Sequence, residues 1–390
     1  MADLSTQKAR AKAVVEAAGP ELDRLADRIH ANPELGYEER QAAAWLGEFL
    51  AERGFHVTHG VGGVATAFVA ETGPARPGAP TVAMLAEYDA LPNIGHACGH
   101  NLIAAIAVGA GLACRDLVPP EAGRVIVLGT PAEEGGGGKQ ALLDAGVFDG
   151  IDAAMMIHPW DRTAAWAPAL GLIPFKVAFH GRNAHAAGAP HLGVNALDAM
   201  ILLFTGIGLL RQQITGDARI HGVITRGGDK PNIIPDYTEA EFYVRALDPA
   251  YVAELHRRVL AVAEGAATAT GCRMTTETTG YAYDPVREYP TLSALFRRNL
   301  EALGLSEAPG GGEMAGSTDF GNVSQRIPGL HAYLEVADRG TSLHTPTFAA
   351  AAAAPRAKAM IRAGATVLAQ TALDLLLAPG ALDRARAERP

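Results

Sequence analysis

The sequence predicts an α/β protein, a sheet covered by helices on both faces, with a smaller ferredoxin-like α+β domain inserted into it. Three observations point there. Short apolar runs such as TVAMLA, RVIVLG and DAAMMIH alternate with helical patterns through the first part of the chain, as in sheets buried on both faces. From about residue 172 the order becomes strand, helix, strand, strand, helix, strand, which is a ferredoxin-like unit. From about residue 287 the buried α/β pattern returns.

Residues 11–54 read as two amphipathic helices broken near ANPELGYEE. VATAFVAE and TVAMLAEYD, bounded by glycine and proline, are strands. NLIAAIAVGAGLACRDL is a helix with Asn101 at its N-cap. RVIVLGTPAEE is a buried strand, KQALLDAG a helix and DAAMMIHP a third buried strand. In the insertion, GLIPFKVAFHG alternates like a strand with one open face. A helix over VNALDAMILLFTGIGLLRQQI follows. RIHGVITRGG and YTEAEFYVRAL are strands around the loop DKPNIIPD, and CRMTTETTGYAYD closes the unit after a helix over PAYVAELHRRVLAVAEGAATATG. The expected domains are 1–172 with 287–390, and 173–286. The alanines at 349–354, ahead of Pro355, lead into the last helix, and the tail RARAERP is expected to fray.

At 390 residues and 48% hydrophobic, the chain can bury a large core. A net charge of -9 argues against nucleic acid and anionic membranes, which need basic surfaces. Three scattered cysteines make no disulfide framework and fit a reducing cytosol. The charged N-terminus has no apolar run of a secretory leader, and no uncharged apolar stretch reaches membrane-spanning length, so a cytoplasmic location is expected.

Three polar clusters follow three buried strands: AEYDALP, PAEEGGGG and IHPW. In open α/β sheets, sites collect beyond the carboxyl ends of the strands, so Asp89, Cys98, His100, Glu133, Glu134 and His158 can converge. In GHACGH, glycine between Cys98 and His100 allows both side chains to face one ion; a buried thiol beside two ordinary histidines is the other reading. Two adjacent glutamates before four glycines are hard to explain by packing, and a solvated loop start is the other reading. One carboxylate would bind a metal and its neighbour would act as general base. His344 in SLHTPTF adds a further imidazole. A cysteine, three histidines and two glutamates are about what two metal ions need once water completes their shells.

Six motifs, AEYDALPNIGHACGHNL, GTPAEEGGGGK, GRNAHAAGAP, HGVITRGGDKPNIIPD, GSTDFGNVSQ and LHTPTF, occur in that order. Together they resemble the dinuclear metallopeptidase and amidohydrolase superfamily of aminoacylases, glutamate carboxypeptidase and hippurate hydrolase. The resemblance covers nearly the whole chain and looks closest to the aminobenzoyl-glutamate hydrolase and related dipeptidase branch. It implies a zinc-peptidase-like mixed sheet with a lid domain that also forms a homodimer. It implies Cys98 as bridging ligand, His100, Glu134, His158 and His344 as the other ligands, Glu133 as general base, and Asp89 as the carboxylate orienting a histidine. His221 would reach a partner subunit's site and stabilise the oxyanion. Asn232 and Arg245 would hold the substrate carboxylate, and Gly316 with Ser317 would contact substrate from the main domain. Most of the superfamily has aspartate where this chain has Cys98, so the metals implied are two divalent ions, zinc first and manganese as the alternative.

The expected function is metal-dependent hydrolysis of the amide bond of N-acyl amino acids, aminobenzoyl amino acids or dipeptides by metal-bound hydroxide. The alternatives are a metal-dependent aromatic-amine deaminase and a non-catalytic small-molecule-binding relative. His185 reads as structural, His180, His191 and His331 have no supporting context, and His96 reads as at most a donor behind the ligands.

Overall fold

The structure, a computed structural model, describes residues 3–73, 76–309 and 316–389. Packing divides the chain into two compact units: Met1–Pro168 with Val286–Ala315 and Asp319–Pro390, and Ala169–Pro285 with Gly316–Thr318.

The first unit opens with α1 (Leu4–Ala31) and α2 (Arg40–Ala51), then β1 (His56–His59), β2 (Phe68–Glu71) and β3 (Thr81–Ala86). It continues through α3 (His100–Cys114), β4 (Arg124–Gly129), α4 (Gly138–Asp144) and β5 (Ala153–Trp160). The inserted unit holds β6 (Gly171–His180), α5 (Ala196–Leu210), β7 (Arg219–Arg226), β8 (Tyr237–Ala246), α6 (Pro249–Thr270) and β9 (Arg273–Thr278). The first unit resumes with α7 (Pro290–Ala302), α8 (Phe320–Ser324), β10 (Gly329–Glu335), α9 (Pro346–Ala351), α10 (Pro355–Leu377) and α11 (Ala381–Ala387).

Among the described residues the first unit's sheet runs β1-β2-β4-β3-β5-β10. It is mixed: β3, β4, β5 and β10 pair in parallel, while β1 and β2 join antiparallel at one edge. The strand period of two sorts its side chains. Val82, Met84, Val127, Met155, Ile157, Ala332 and Leu334 enter one large apolar core with α1, α3 and α10. The opposite parity of β5 and β10 carries His158, His331 and Tyr333, so the chemistry sits on the face away from that core. Helix α10 is long and apolar enough by composition to cross a membrane, but 78% of its apolar window is buried inside the fold, which makes it a core helix.

The inserted unit is a four-stranded antiparallel sheet, β7-β8-β6-β9, with α5 and α6 on one face, the ferredoxin-like arrangement. Caps follow local chemistry: Asn195 accepts from Leu197 N at 3.0 Å and Asp248 from Tyr251 N at 2.8 Å.

Two local expectations are corrected. Asn101 is not an N-cap; left-handed Gly99 (φ 78°) starts α3, and the Asn101 amide donates to Ala352 O at 3.1 Å. The tail is helical through Ala387, because Ala381, Leu382 and Ala385 are buried and Glu388 accepts from Thr291 N at 3.0 Å; Pro390 lies outside the described residues.

Candidate metal centre

The ends of β3, β4 and β5 bring the polar clusters of the first unit together. Ligand atoms of Cys98, His100 and His158 lie within 4.8 Å of one another, as do those of Cys98, Glu134 and His344, and those of His100, Glu133 and Glu134. Cys98, His100 and Glu134 each belong to two of these groups, so the three sets form one continuous cluster. Gly99 makes this possible: its φ is 78°, and a Cβ there would lie 2.5 Å from Pro159 Cγ, so no larger residue fits between the two ligands.

Each imidazole has one nitrogen fixed behind it. His100 Nδ1–H donates to Asp89 Oδ1 at 2.9 Å, and His158 Nδ1–H donates to Pro159 O at 2.7 Å. This leaves both Nε2 atoms facing the cluster, the usual second-layer arrangement of a metal-binding histidine. His100 Nε2 is buried without a hydrogen bond; around it stand Glu87 Oε2 at 3.5 Å and Glu133 and Glu134 oxygens at 3.9 Å. An orphaned buried nitrogen ringed by carboxylates, a thiol and a second imidazole fits a cation. His344, at φ 60°, donates its backbone N–H to Ala97 O at 2.9 Å and sets Nε2 3.4 Å from Glu134 Oε1.

The other oxygen of Asp89 is also used: Oδ2 accepts from Glu134 N at 2.9 Å, tying the β4 turn to the β3 end. In that turn Gly138 leaves room where a Cβ would lie 1.8 Å from Pro131 O. The two adjacent glutamates are pushed apart. Burial, followed by the Glu87, Glu134 and Asp319 carboxylates, raises Glu133 well above the ordinary range. Burial acts on Glu134 too, but the His344 contact and the charge of His100 outweigh it and hold Glu134 below that range. Burial and then His100 bring His158 down to about 4, so its imidazole is neutral and free to ligate.

Behind the ligands lies a network that the sequence does not advertise. Lys139 is fully buried, with Nζ 2.5 Å from both Glu87 Oε1 and Asp319 Oδ1. Asp319 Oδ2 also accepts from Lys139 N at 2.9 Å. His331 stacks on His158 at 5.8 Å and Tyr333 packs against it at 5.9 Å. Only the placement of Glu87 two residues before Asp89, and of Lys139 directly after the glycine run, hints at any of this.

The remaining predicted residues lie in the inserted unit. His221 on edge strand β7 pairs across to Tyr243, and Arg245 lies two residues further along β8. All three have the parity opposite to Ile220, Phe242 and Val244, which face the helices, so they share the uncovered face. Arg245 Nε is buried without a partner. Burial, then Arg245 and Arg211, lower the His221 pKa. Asn232 is exposed in the β7–β8 loop. Gly316 and Ser317 group with the inserted unit rather than the main one: Leu170 N donates to Gly316 O at 2.7 Å. His185 Nδ1 accepts from Gly188 N at 3.0 Å and closes a turn.

Comparison with known proteins shows the family. The sequence model of peptidase family M20/M25/M40 matches residues 83–373, a span that contains Cys98, His100, Glu133, Glu134, His158 and His344. A Xaa-Arg dipeptidase from Mus musculus is 40% identical over 401 residues, covering 99% of this chain and 93% of the relative. One chain of the p-aminobenzoyl-glutamate hydrolase of Escherichia coli (strain K12) is 30% identical over 449 residues, covering 96% and 93%. The fold is shared with a dinuclear metal-binding peptidase of the M20 family from Bacillus subtilis, at a TM-score of 0.70 and 21% identity over 93% of this chain and 99% of that one. A donor set built for two divalent cations, in a chain that aligns almost end to end with hydrolases of amide bonds, makes this protein a metal-dependent amide hydrolase that belongs to peptidase family M20/M25/M40.

Proposed function

We propose that this protein is a dipeptidase that removes a C-terminal basic residue, with zinc as its pair of ions. The observation that carries the mechanism is geometric: Glu134 reaches both the group with Cys98 and His344 and the group with His100, whereas its neighbour Glu133 reaches only the latter. Neighbouring carboxylates that reach different parts of one cluster can divide the roles, one holding the ions and the other taking up a proton during the reaction. Cys98, His100, Glu134, His158 and His344 would hold the ions, and a thiolate with imidazoles favours zinc over manganese. When bound, the ions supply Lewis acidity toward the amide carbonyl and a lowered pKa for water. Glu133 takes the proton of the attacking water and returns it to the leaving amine. Asp89 keeps His100 oriented. Arg245 and Asn232 bind the free carboxylate, with Gly316 and Ser317 contributing a backbone group and a hydroxyl. His221 of the partner subunit donates to the carbonyl oxygen as charge develops there.

Dipeptides with C-terminal arginine head the substrate class because the Xaa-Arg dipeptidases of Mus musculus and Homo sapiens are 40% and 37% identical to this chain nearly end to end. Aminobenzoyl-glutamate and N-acyl amino acids follow. Purified protein assayed on Ala-Arg, Ala-Glu, aminobenzoyl-glutamate and N-benzoyl-glycine, with zinc and manganese measured by elemental analysis, tests the assignment. Ala-Arg should lead by kcat/KM with two zinc ions per chain. Glu133→Gln should lose about 10²–10⁴-fold in kcat at unchanged metal content. Near-normal turnover of that variant removes Glu133 from the base role, and a lead for aminobenzoyl-glutamate removes the arginine preference.

A further inference from the structure

The segment between α1 and α2, NPELGYEE, is bound at several points to the turn that carries Glu133. Glu39 is wholly buried, and its Oε1 accepts from Ala132 N at 2.8 Å. Ala132 directly precedes Glu133 and has φ 60°, a left-handed conformation that alanine rarely adopts. Such a conformation persists only where its surroundings enforce it. Here they do. Gly36 lies so close that a Cβ on it would be 3.0 Å from Ala132 Cβ, and a Cβ on Gly136 would be 2.7 Å from the same atom. Tyr37 donates its hydroxyl to Gly136 O at 2.7 Å, beyond the glutamates. Ala90 N donates to Glu34 O at 2.8 Å, next to Asp89. The Glu34 carboxylate accepts from Gln41 N at 2.9 Å and Ala42 N at 3.0 Å, anchoring the segment to the start of α2.

We propose that Glu39 is a positioning residue for catalysis: its buried carboxylate fixes the Ala132 peptide in the left-handed conformation and so sets where the Glu133 carboxylate stands. The inference rests on Glu133 being the base. A side chain that touches neither substrate nor ion can act this way because misplacement by about 1 Å costs about 10²-fold in rate. Burial, with the Asp89 charge adding to it, raises the Glu39 pKa to about 7, so a neutral amide is a fair replacement for it. The role needs an oxygen acceptor at that place, which a glutamine amide also supplies.

The test compares Glu39→Gln, which keeps an acceptor oxygen, with Glu39→Ala, which removes it, in the metal-loaded protein. Steady-state kinetics are measured on whichever dipeptide the native enzyme cleaves best, together with metal content and amide hydrogen exchange of the peptide spanning residues 131–136. Glu39→Ala should lower kcat about 10–100-fold with KM within about twofold, keep its metal, and lose protection in that peptide, while Glu39→Gln should restore both kcat and protection. Should Glu39→Ala fail to fold, Glu39→Asp withdraws the acceptor by one methylene and takes its place. Native kcat and native protection in Glu39→Ala overturn the proposal, as does a Glu39→Gln protein as impaired as Glu39→Ala. If Glu133→Gln proves active, the base assignment fails; exchange in the 131–136 peptide still decides whether Glu39 holds the turn.

Discussion

Asp89 ties together two parts of the candidate metal centre. One oxygen takes the Nδ1–H of His100 and the other takes the N–H of Glu134, so a single carboxylate holds two proposed ligands, one at the start of α3 and one in the turn after β4. Burial alone would raise its pKa, yet the charge and hydrogen bond of His100 hold it below the usual carboxylate range, so it stays ionised as an acceptor. Replacing Asp89 with Ala should weaken divalent-ion binding about 10–100-fold, the usual loss for a group of this kind. Competition against a chromophoric chelator reads this directly, and unchanged affinity would show that His100 is oriented without it. Asp89 is legible in the sequence because it sits within a motif beside its ligand. His331 is not: nothing in GLHAYLE marks it, and only the pairing of β10 with β5 brings it against His158. The role of Asn101 escapes a sequence reading for a related reason, since its amide serves carbonyls of α1 and of the segment after α9 that local sequence cannot reveal.

At the scale of elements, the Lys139 network joins three parts of the first unit: the end of β3 through Glu87, the start of α4 through Lys139 itself, and the residue before α8 through Asp319. A buried cation between two buried carboxylates adds little net stability relative to apolar packing, but removing one member strands the others. Lys139→Met should therefore destabilise the protein by about 3–5 kcal/mol, a loss that shows in chemical denaturation midpoints. A triple replacement of Glu87, Lys139 and Asp319 by apolar residues of similar size should recover much of that loss. If Lys139→Met unfolds like the native protein, the network is not a structural unit. The strands are largely readable because β3, β4 and β5 are apolar on both faces and β6 and β8 alternate. Strand β10 has no such signature, because His331 and Tyr333 occupy two of its buried positions, and α11 hides behind a charged tail whose three apolar residues suffice to seat it.

For the molecule as a whole, the question is what completes the first unit's chemistry. Its cluster holds the proposed metal ligands and base, while the proposed oxyanion donor, His221, belongs to the inserted unit. His221 sits on an open strand edge, where the proposed homodimer would place its partner. Strand β7 is an edge of its sheet, seven of its eight residues are exposed, and Val223 and Ile224 are 60% and 41% exposed. On α5, Ile201, Leu202 and Leu209 are exposed as well, Leu209 at 72%. An open edge with exposed aliphatic side chains is unfavourable in water, and the proposed two-fold homodimer would cover it. A neutral imidazole is what such a donor needs, and burial with the nearby arginines keeps the His221 pKa low. The consequence is a complementation that only a shared site can produce. His221→Ala and Glu133→Gln chains should each be nearly inactive alone. Mixed and reassembled as heterodimers, one of the two sites has a native Glu133 and receives a native His221, so activity should return toward about half the native value per dimer, following the symmetry of a two-fold interface. Heterodimers verified by differential tags that stay inactive would place the oxyanion donor within a single chain.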